Sequence, residues 1–284
     1  MKLCRFLSQN QVRIGVLNDG GTISNLSAAG VAAMTPLLER KDLTNYLTDL
    51  LSKKLPEVSV NEVRLLPPVE RQEVWAVGVT YLRSKKARME ESDFSATAYD
   101  KVYDAPRPEL FFKSMPEKVV GPSETVGIRR DATWNVPEPE LALVLNSGGE
   151  IVGFTVGNDM SSRDIEGENL LYLPQAKIYD RACAVGPCIV VGANEEAARG
   201  WTISVQISRT GKVVFSGQTS ISQIKRTFAE MAGYLFRSQT FPNGAILLTG
   251  TGVVPGDDFT LQPDDGIRIE ISGIGVLENK VTIV

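Results

Sequence analysis

The chain has 284 residues, of which 43% are hydrophobic and 23% charged, a composition that excludes a disordered protein and a coiled coil. Its 30 basic and 34 acidic side chains give a net charge of −4, which does not favour nucleic-acid binding, so we expect small-molecule partners. The sequence contains no histidine, which excludes Ser-His-Asp and Cys-His nucleophiles and histidine-bound zinc. Any acid or base must therefore be Asp, Glu, Lys, Tyr or Cys.

Three cysteines without a Cys-x-x-Cys spacing indicate reduced, buried thiols rather than a disulfide framework. The start of the chain, residues 1–7, holds only a few apolar residues, which is too short for a signal-peptide core, and no apolar run approaches the roughly 18 residues of a membrane span. We therefore expect a cytoplasmic protein with no membrane contact.

The first 70 residues predict a small N-terminal α/β domain, followed by a catalytic domain over residues 71–284. Turn residues 18–21 separate two short strands. Apolar side chains at helical spacing from Leu43 to Leu51, after a capping Asp42, predict a helix. The stretch 58–66 is typical of a strand.

From Val74 onward, short β runs dominate. One further helix is predicted, with apolar positions from Ile221 to Leu235 and a capping box formed by Ser220 and Gln223. Residues 245–248 and 267–271 predict strands. The chain is therefore expected to be α+β and mostly β.

Residues 83–106 are polar and charged. They predict a short helix over residues 84–91 and then an irregular stretch. A long loop in a compact domain is usually a lid or a surface excursion, and the sequence leaves both alternatives open for residues 92–106.

Acidic residues lie at the start of the first strand and at the end of the second strand of a predicted hairpin. A two-residue turn at Gly148-Gly149 places Glu138 opposite Asp159 and Glu140 opposite Gly157. Because side chains alternate across a strand, all three carboxylates are expected on one face of the sheet.

Small residues share that face, which predicts a pocket beside the acids; they are Ala142, Gly153, Thr155 and Gly157. Closely spaced carboxylates need a cation or shared protons. Three oxygen ligands without His or Cys favour Mg²⁺ before Mn²⁺ or Ca²⁺. A solvated polar margin of the sheet remains the alternative, and a one-residue shift in register would remove the arrangement.

These residues lie within motifs that resemble the fumarylacetoacetate hydrolase superfamily. The matching segments occur in the family's order and are residues 78–81, 108–113, 138–141, 157–164, 176–180, 186–187 and 248–252. The resemblance implies a mixed β-roll or incomplete barrel, a homodimer or homotetramer, and a divalent metal. The implied metal ligands are Glu138, Glu140 and Asp159, with Lys177 in the same pocket, whereas Asp164 is favoured as a structural ion pair rather than a ligand.

Family members that hydrolyse carbon–carbon bonds usually carry a His-Glu pair where this chain has Ser84 and Ala87. Residues 107–109 and 166–177 are instead similar to a branch that dehydrates 2-keto-3-deoxy sugar acids, such as the arabinonate or xylonate. The resemblance therefore implies Mg²⁺-dependent loss of water, which gives 2,5-dioxopentanoate.

In that reaction Lys177 is the candidate base for the C3 proton and Glu109 the candidate acid for the departing C4 hydroxyl, although the two roles are exchangeable. Candidate substrate-binding residues are Arg83, Ser84 and Thr251. Two alternatives stay open. One is a hydrolase or decarboxylase acting on acylpyruvates or oxaloacetate, and the other is a noncatalytic binder of metal or sugar acid.

Overall fold

The computed structural model describes residues 1–81 and 101–284. The strands are β1 (Lys2–Ser8), β2 (Gln11–Leu17), β3 (Thr22–Asn25), β4 (Glu57–Ser59), β5 (Arg64–Leu66), β6 (Glu73–Gly78), β7 (Glu109–Ser114), β8 (Thr125–Ile128), β9 (Asn135–Val136), β10 (Pro139–Leu145), β11 (Ile151–Asp159), β12 (Ser161–Ser162), β13 (Cys183–Val190), β14 (Thr202–Arg209), β15 (Lys212–Ser220), β16 (Ala245–Leu248), β17 (Gly266–Ile271) and β18 (Gly275–Ile283). The helices are α1 (Thr35–Leu38), α2 (Leu43–Leu51), α3 (Arg163–Glu168), α4 (Leu173–Lys177), α5 (Glu195–Arg199) and α6 (Phe228–Leu235). Residues 101–104 are also helical.

Most strands belong to two sheets. The large mixed sheet has the order β4-β3-β2-β1-β13-β11-β10-β16-β6-β7, with β5 paired to β1. The smaller sheet has the order β15-β14-β17-β18-β8. Strands β10, β11 and β13 contact strands of the smaller sheet, and one apolar cluster fills the space between them. The prediction of a mostly β, mixed-sheet fold is confirmed.

The N-terminal elements agree in part with the sequence. The hairpin of β2 and β3 and the helix α2 are present as predicted, although Asp42 caps α2 by position only, without a side-chain hydrogen bond. The predicted strand over residues 58–66 is wrong, because a 3-10 turn at residues 60–62 divides it into β4 and β5. Strand β1 was not predicted, and it joins this region to β13.

The second predicted helix starts later than expected. Ser220 caps a separate 3-10 turn at residues 221–223, and α6 begins only at Phe228. Thr227 is the true cap, since its side chain accepts a hydrogen bond from the backbone N–H of Glu230. The predicted capping box of Ser220 and Gln223 is therefore wrong for α6.

The predicted helix over residues 84–91 lies outside the described residues, as do Arg83 and Ser84. No helix in the part of the chain that the structure describes is long and apolar enough to cross a membrane.

Candidate active site

The hairpin of β10 and β11 has the predicted register at its acidic end. Glu140 pairs with Gly157, and the backbone N–H of Asp159 donates to the carbonyl of Glu138 over 2.9 Å. The predicted two-residue turn is wrong, because residues 146–150 form a longer loop after a one-residue shift at Leu145. The Asn146 side chain shapes this loop by accepting hydrogen bonds from two of its backbone N–H groups.

The three predicted acids meet at the open end of this hairpin. One carboxylate oxygen from each of Glu138, Glu140 and Asp159 lies within 4.8 Å of the others. All three side chains are at most 3% exposed. The arrangement is therefore a buried acidic cluster, and the alternative of a solvated sheet margin is wrong.

The small residues further along the hairpin do not line a pocket, contrary to expectation. A Cβ on Gly157 would lie 2.4 Å from Leu248 Cδ2, and one on Gly153 would lie 2.5 Å from Ile189 Cγ2. Neighbouring strands thus fill the space that these glycines leave. Within the described ranges the cavity lies at the acidic end, where it is also lined by Phe111, Arg163, Gly250, Thr251 and residues 77–79.

Lys177 reaches the acidic cluster from the last residue of α4. Its Nζ lies 2.9 Å from Glu138 Oε2, 3.2 Å from Asp159 Oδ2 and 2.6 Å from Ser161 Oγ. The side chain is completely buried, and its Nζ lies 5.8 Å from the centre of the Phe111 ring. The structure thus brings the predicted lysine and the predicted acids together.

A second buried lysine binds the same cluster. Lys113 Nζ lies 2.5 Å from Asp159 Oδ1 and donates to the backbone carbonyls of Met160 and Lys177 over 2.9 and 2.5 Å. Two hydrogen bonds to carbonyls and one ion pair thus surround the ammonium group. Lys113 therefore fixes Asp159 relative to the backbone that carries Lys177.

Arg163 supports the cluster from the start of α3. Its guanidinium lies 2.7 Å from Glu138 Oε1 and, through Nε, 3.9 Å from Glu166 Oε2. On the opposite side, the backbone N–H of Gly250 donates to Glu140 Oε2 over 2.6 Å. Cations and a backbone donor therefore hold the carboxylates in place.

Burial dominates the electrostatics of Glu140. It raises the pKa of this carboxyl well above its ordinary value, and the charges of Asp159 and Glu138 raise it further. The charge of Lys177 and the N–H of Gly250 act in the opposite direction without cancelling the increase. A cation bound beside this carboxyl would favour its ionised form.

The cluster fits a divalent metal ion. With all four buried carboxylates ionised, including that of Glu166, the cluster has one negative charge more than its three buried cationic side chains, and a divalent ion would leave an excess of one positive charge. Carboxylate oxygens are also the ligands that hard ions such as Mg²⁺ prefer. Such a site would attract an anionic ligand.

Two further predicted residues lie beside the cluster. Thr251 lines the cavity, and its hydroxyl donates to the carbonyl of Val253 over 3.0 Å. Glu109 begins β7 opposite Gly78, and a Cβ on Gly78 would lie 1.9 Å from Glu109 Oε2. The absent side chain of Gly78 therefore gives the Glu109 carboxyl its place next to the cavity.

Asp164 lies outside the acidic cluster, whereas Lys113 and Arg163 contact it. Asp164 stands apart from the cluster, where it accepts hydrogen bonds from the backbone and hydroxyl of Thr133 rather than forming the expected ion pair. Sequence reasoning did not assign roles to Lys113 and Arg163. The alternation of Glu109, Phe111 and Lys113 along one strand was the available signal, because a charged residue at a core position needs a buried partner.

Comparisons with known proteins agree with this geometry. The family model described as "Fumarylacetoacetate (FAA) hydrolase C-terminal" matches residues 73–282. A "probable 2-keto-3-deoxyxylonate dehydratase" of Haloferax volcanii is 50% identical over 217 residues, which cover 76% of this chain and 74% of that protein. A "2-dehydro-3-deoxy-D-arabinonate dehydratase" of Saccharolobus solfataricus is 39% identical over 282 residues, which cover 98% of this chain and 95% of the relative.

A solved structure is similar over the full length. It is described as "2-keto-3-deoxy-D-arabinonate dehydratase complexed with magnesium and 2,5-dioxopentanoate". Its chain is 35% identical, the alignment covers 100% of this chain and 99% of that one, and the TM-score is 0.84. The family match spans well over half of the residues, and the chain belongs to the fumarylacetoacetate hydrolase family.

Proposed function

We propose that the protein removes water from a 2-keto-3-deoxy pentonate, the arabinonate or the xylonate, to give 2,5-dioxopentanoate in a Mg²⁺-dependent reaction. The chain is a metal-dependent hydro-lyase, as its dehydratase relatives indicate. The observation that carries the finer proposal is the buried cluster of Glu138, Glu140 and Asp159 around Lys177.

Glu138, Glu140 and Asp159 would hold the ion. When bound, Mg²⁺ supplies a Lewis acid that stabilises the charge developing on the 2-keto acid as its C3 proton leaves. Arg163 and Lys113 keep two of the ligand carboxylates oriented.

Lys177 takes the C3 proton in this proposal as a neutral amine, after its ammonium has passed one proton to a carboxylate beside it. Three acceptors among the described residues surround its Nζ, which therefore points into the group of oxygens beside which the substrate would lie. The Phe111 ring covers one side of Nζ and excludes water. The Glu109 carboxyl gives a proton to the departing C4 hydroxyl, and the enone that results tautomerises to the aldehyde.

Turnover assays on a substrate panel test the function. Purified protein is incubated with Mg²⁺ and a set of 2-keto-3-deoxy acids, and 2,5-dioxopentanoate and pyruvate are measured together. We expect dioxopentanoate without pyruvate, and loss of turnover in EDTA. Lys177→Ala should lose roughly 10²- to 10⁴-fold in kcat, whereas Lys118→Ala, which changes an exposed lysine, should not.

The same assay separates the alternatives. Release of pyruvate alone would replace the proposal with a hydrolase or decarboxylase. Binding of the acids without any turnover, unchanged by Lys177→Ala, would indicate a noncatalytic binder.

A further inference from the structure

The short ladder between β1 and β13 brings Cys4 and Cys188 close together. The amino group of Met1 donates to the carbonyl of Val191 over 3.0 Å, and the N–H of Val191 donates back over 2.9 Å. The register continues through Leu3 opposite Ile189. Cys4 and Cys188 are the next residues along the two strands, just before β1 pairs with β5 from Arg5 onward.

The alternation of pair types along this ladder indicates how far apart the two cysteines lie. In an antiparallel ladder, hydrogen-bonded pairs alternate with non-hydrogen-bonded pairs, whose Cα atoms are only about 4.5 Å apart. Met1 and Val191 form a hydrogen-bonded pair, so extending the register by one residue beyond Leu3 and Ile189 gives Cys4 and Cys188 the parity of a non-hydrogen-bonded pair. The usual spacing of such a pair falls within the Cα separation of about 4.4 to 6.8 Å that a disulfide requires.

Both side chains also lie on the same face of the sheet. Cys4 and Cys188 belong to the apolar cluster between the two sheets, whereas their neighbours Leu3 and Ile189 belong to the cluster on the opposite face. Burial raises the pKa of the Cys4 thiol, and the nearby Cys188 thiol raises it further. Cys183 lies on the same strand but belongs to the other cluster, so its side chain points away from this pair.

We propose that Cys4 and Cys188 form a site of oxidative modification, at which a peroxide converts the two thiols into a cross-strand disulfide. One thiol attacks the peroxide oxygen and becomes a sulfenic acid, with release of one water molecule. The second thiol displaces the hydroxyl group of the sulfenic acid as a second water, and the S–S bond forms. Two thiols thus lose two electrons and two protons, and hydrogen peroxide is reduced to two molecules of water.

The bridge would join β1 to the strand that lies beside Asp159. Strand β13 pairs with β11 on its other side, with Cys183 opposite Asp159. A bond between residues 4 and 188 closes a long loop of the chain, so it restricts the unfolded state strongly. Burial raises the pKa of the Cys188 thiol to about 12, so the thiolate that attacks the peroxide is scarce, and the reaction is slow and needs an oxidant small enough to enter the core.

Peptide mapping after oxidation of the folded protein tests the site. Cys183→Ala protein, which retains only Cys4 and Cys188, is incubated with hydrogen peroxide, alkylated under non-reducing conditions and digested with trypsin. We expect a mass lower by about two units, a covalent link between peptides 3–5 and 182–199, and a Tm higher by roughly 5 °C that dithiothreitol reverses. The double variant Cys4→Ala, Cys183→Ala should show none of these changes.

Three outcomes would overturn the proposal. The first is that both thiols of the peroxide-treated folded protein are still alkylated, under conditions that fully oxidise the urea-unfolded chain. The second is a mass increase from sulfinic acid, and the third is a link between molecules instead of within one. All readouts are independent of turnover, so they stand whether or not the dehydratase assignment holds.

Discussion

At the scale of single residues, the site is a group of buried charges that hold one another in place. Glu138 and Asp159 each form ion pairs with two different cationic side chains, whereas Glu140 accepts a hydrogen bond from the backbone N–H of Gly250. Glu140 is therefore the acid whose ionisation depends most on an added cation. Two predictions follow from these differences in pairing.

The first concerns the stability of Glu140→Gln. The folded state raises the pKa of Glu140, so between the ordinary value and the raised one the unfolded chain has released a proton that the folded chain retains. Stability of the wild type in EDTA must then fall as pH increases above about 4.5, with a slope that Glu140→Gln lacks. We expect the Tm difference in favour of Glu140→Gln to grow from pH 5 to pH 8 in thermal unfolding scans. An equal difference at every pH, or the same growth in the exposed control Glu117→Gln, would contradict this.

The second prediction contrasts two lysines. Lys113→Met removes the partner of a buried carboxylate and of two buried carbonyls, so we expect the free energy of unfolding to fall by about 3–5 kcal/mol. Lys118→Met breaks only an ion pair with Asp180, whose side chains are 57% and 72% exposed, and should cost under about 1 kcal/mol. Urea titrations measure both values, and similar losses would show that Lys113 does not hold the cluster together.

At the scale of elements, local sequence patterns predicted the strands that carry the site better than the turns and boundaries of those strands. The β10–β11 register follows from alternation, because a one-residue slip would put Leu141 and Val156 on the acidic face. The turn was misjudged because the Asn146 side chain stabilises a longer loop than two glycines require. Arg163 and Lys113 come from separate elements, and their convergence depends on tertiary packing that spacing does not encode.

The pairing of β6 with β7 gives a prediction for the candidate acid. Gly78→Ala puts a methyl group where the Glu109 carboxyl lies, so the carboxyl must move while both strands stay paired. We expect kcat for dehydration to fall roughly 10- to 100-fold. The control Gly233→Ala adds a methyl group in open space on α6 and should stabilise the protein by about 1 kcal/mol with kcat unchanged.

The beginning of α6 is a matched test of two caps. Thr227→Ala removes the side chain that accepts from the N–H of Glu230, and should cost about 1 kcal/mol of unfolding free energy. Ser220→Ala affects only a single 3-10 turn and should cost less. If Ser220→Ala were the more damaging change in urea titrations, the helix would start where its apolar pattern alone indicated.

At the scale of the whole molecule, the first 70 residues share their sheet and their core with the rest. Strand β1 lies between β2 and β13, and it also pairs with β5. Leu3 and Leu47 lie in the same apolar cluster as Ile246 and Leu248. The local sequence pattern changes near residue 70 and so predicts a boundary there, whereas pairing between strands more than 180 residues apart leaves no local signal.

This continuity predicts a single cooperative unfolding transition. All three tryptophans, Trp75, Trp134 and Trp201, lie after residue 70, so tryptophan fluorescence reports the larger part alone, whereas far-UV circular dichroism reports the whole chain. Since the β1–β13 ladder and the shared core couple the two parts, we expect the two signals to give the same urea midpoint. An early loss of circular dichroism at constant fluorescence would instead mean that residues 1–70 unfold as an independent domain. A fragment of residues 71–284 separates the two cases further. Without β1 it exposes Ile189, so we expect it to aggregate or to bind a hydrophobic dye. A larger domain that folds independently would instead remain monomeric and keep its metal-dependent stability.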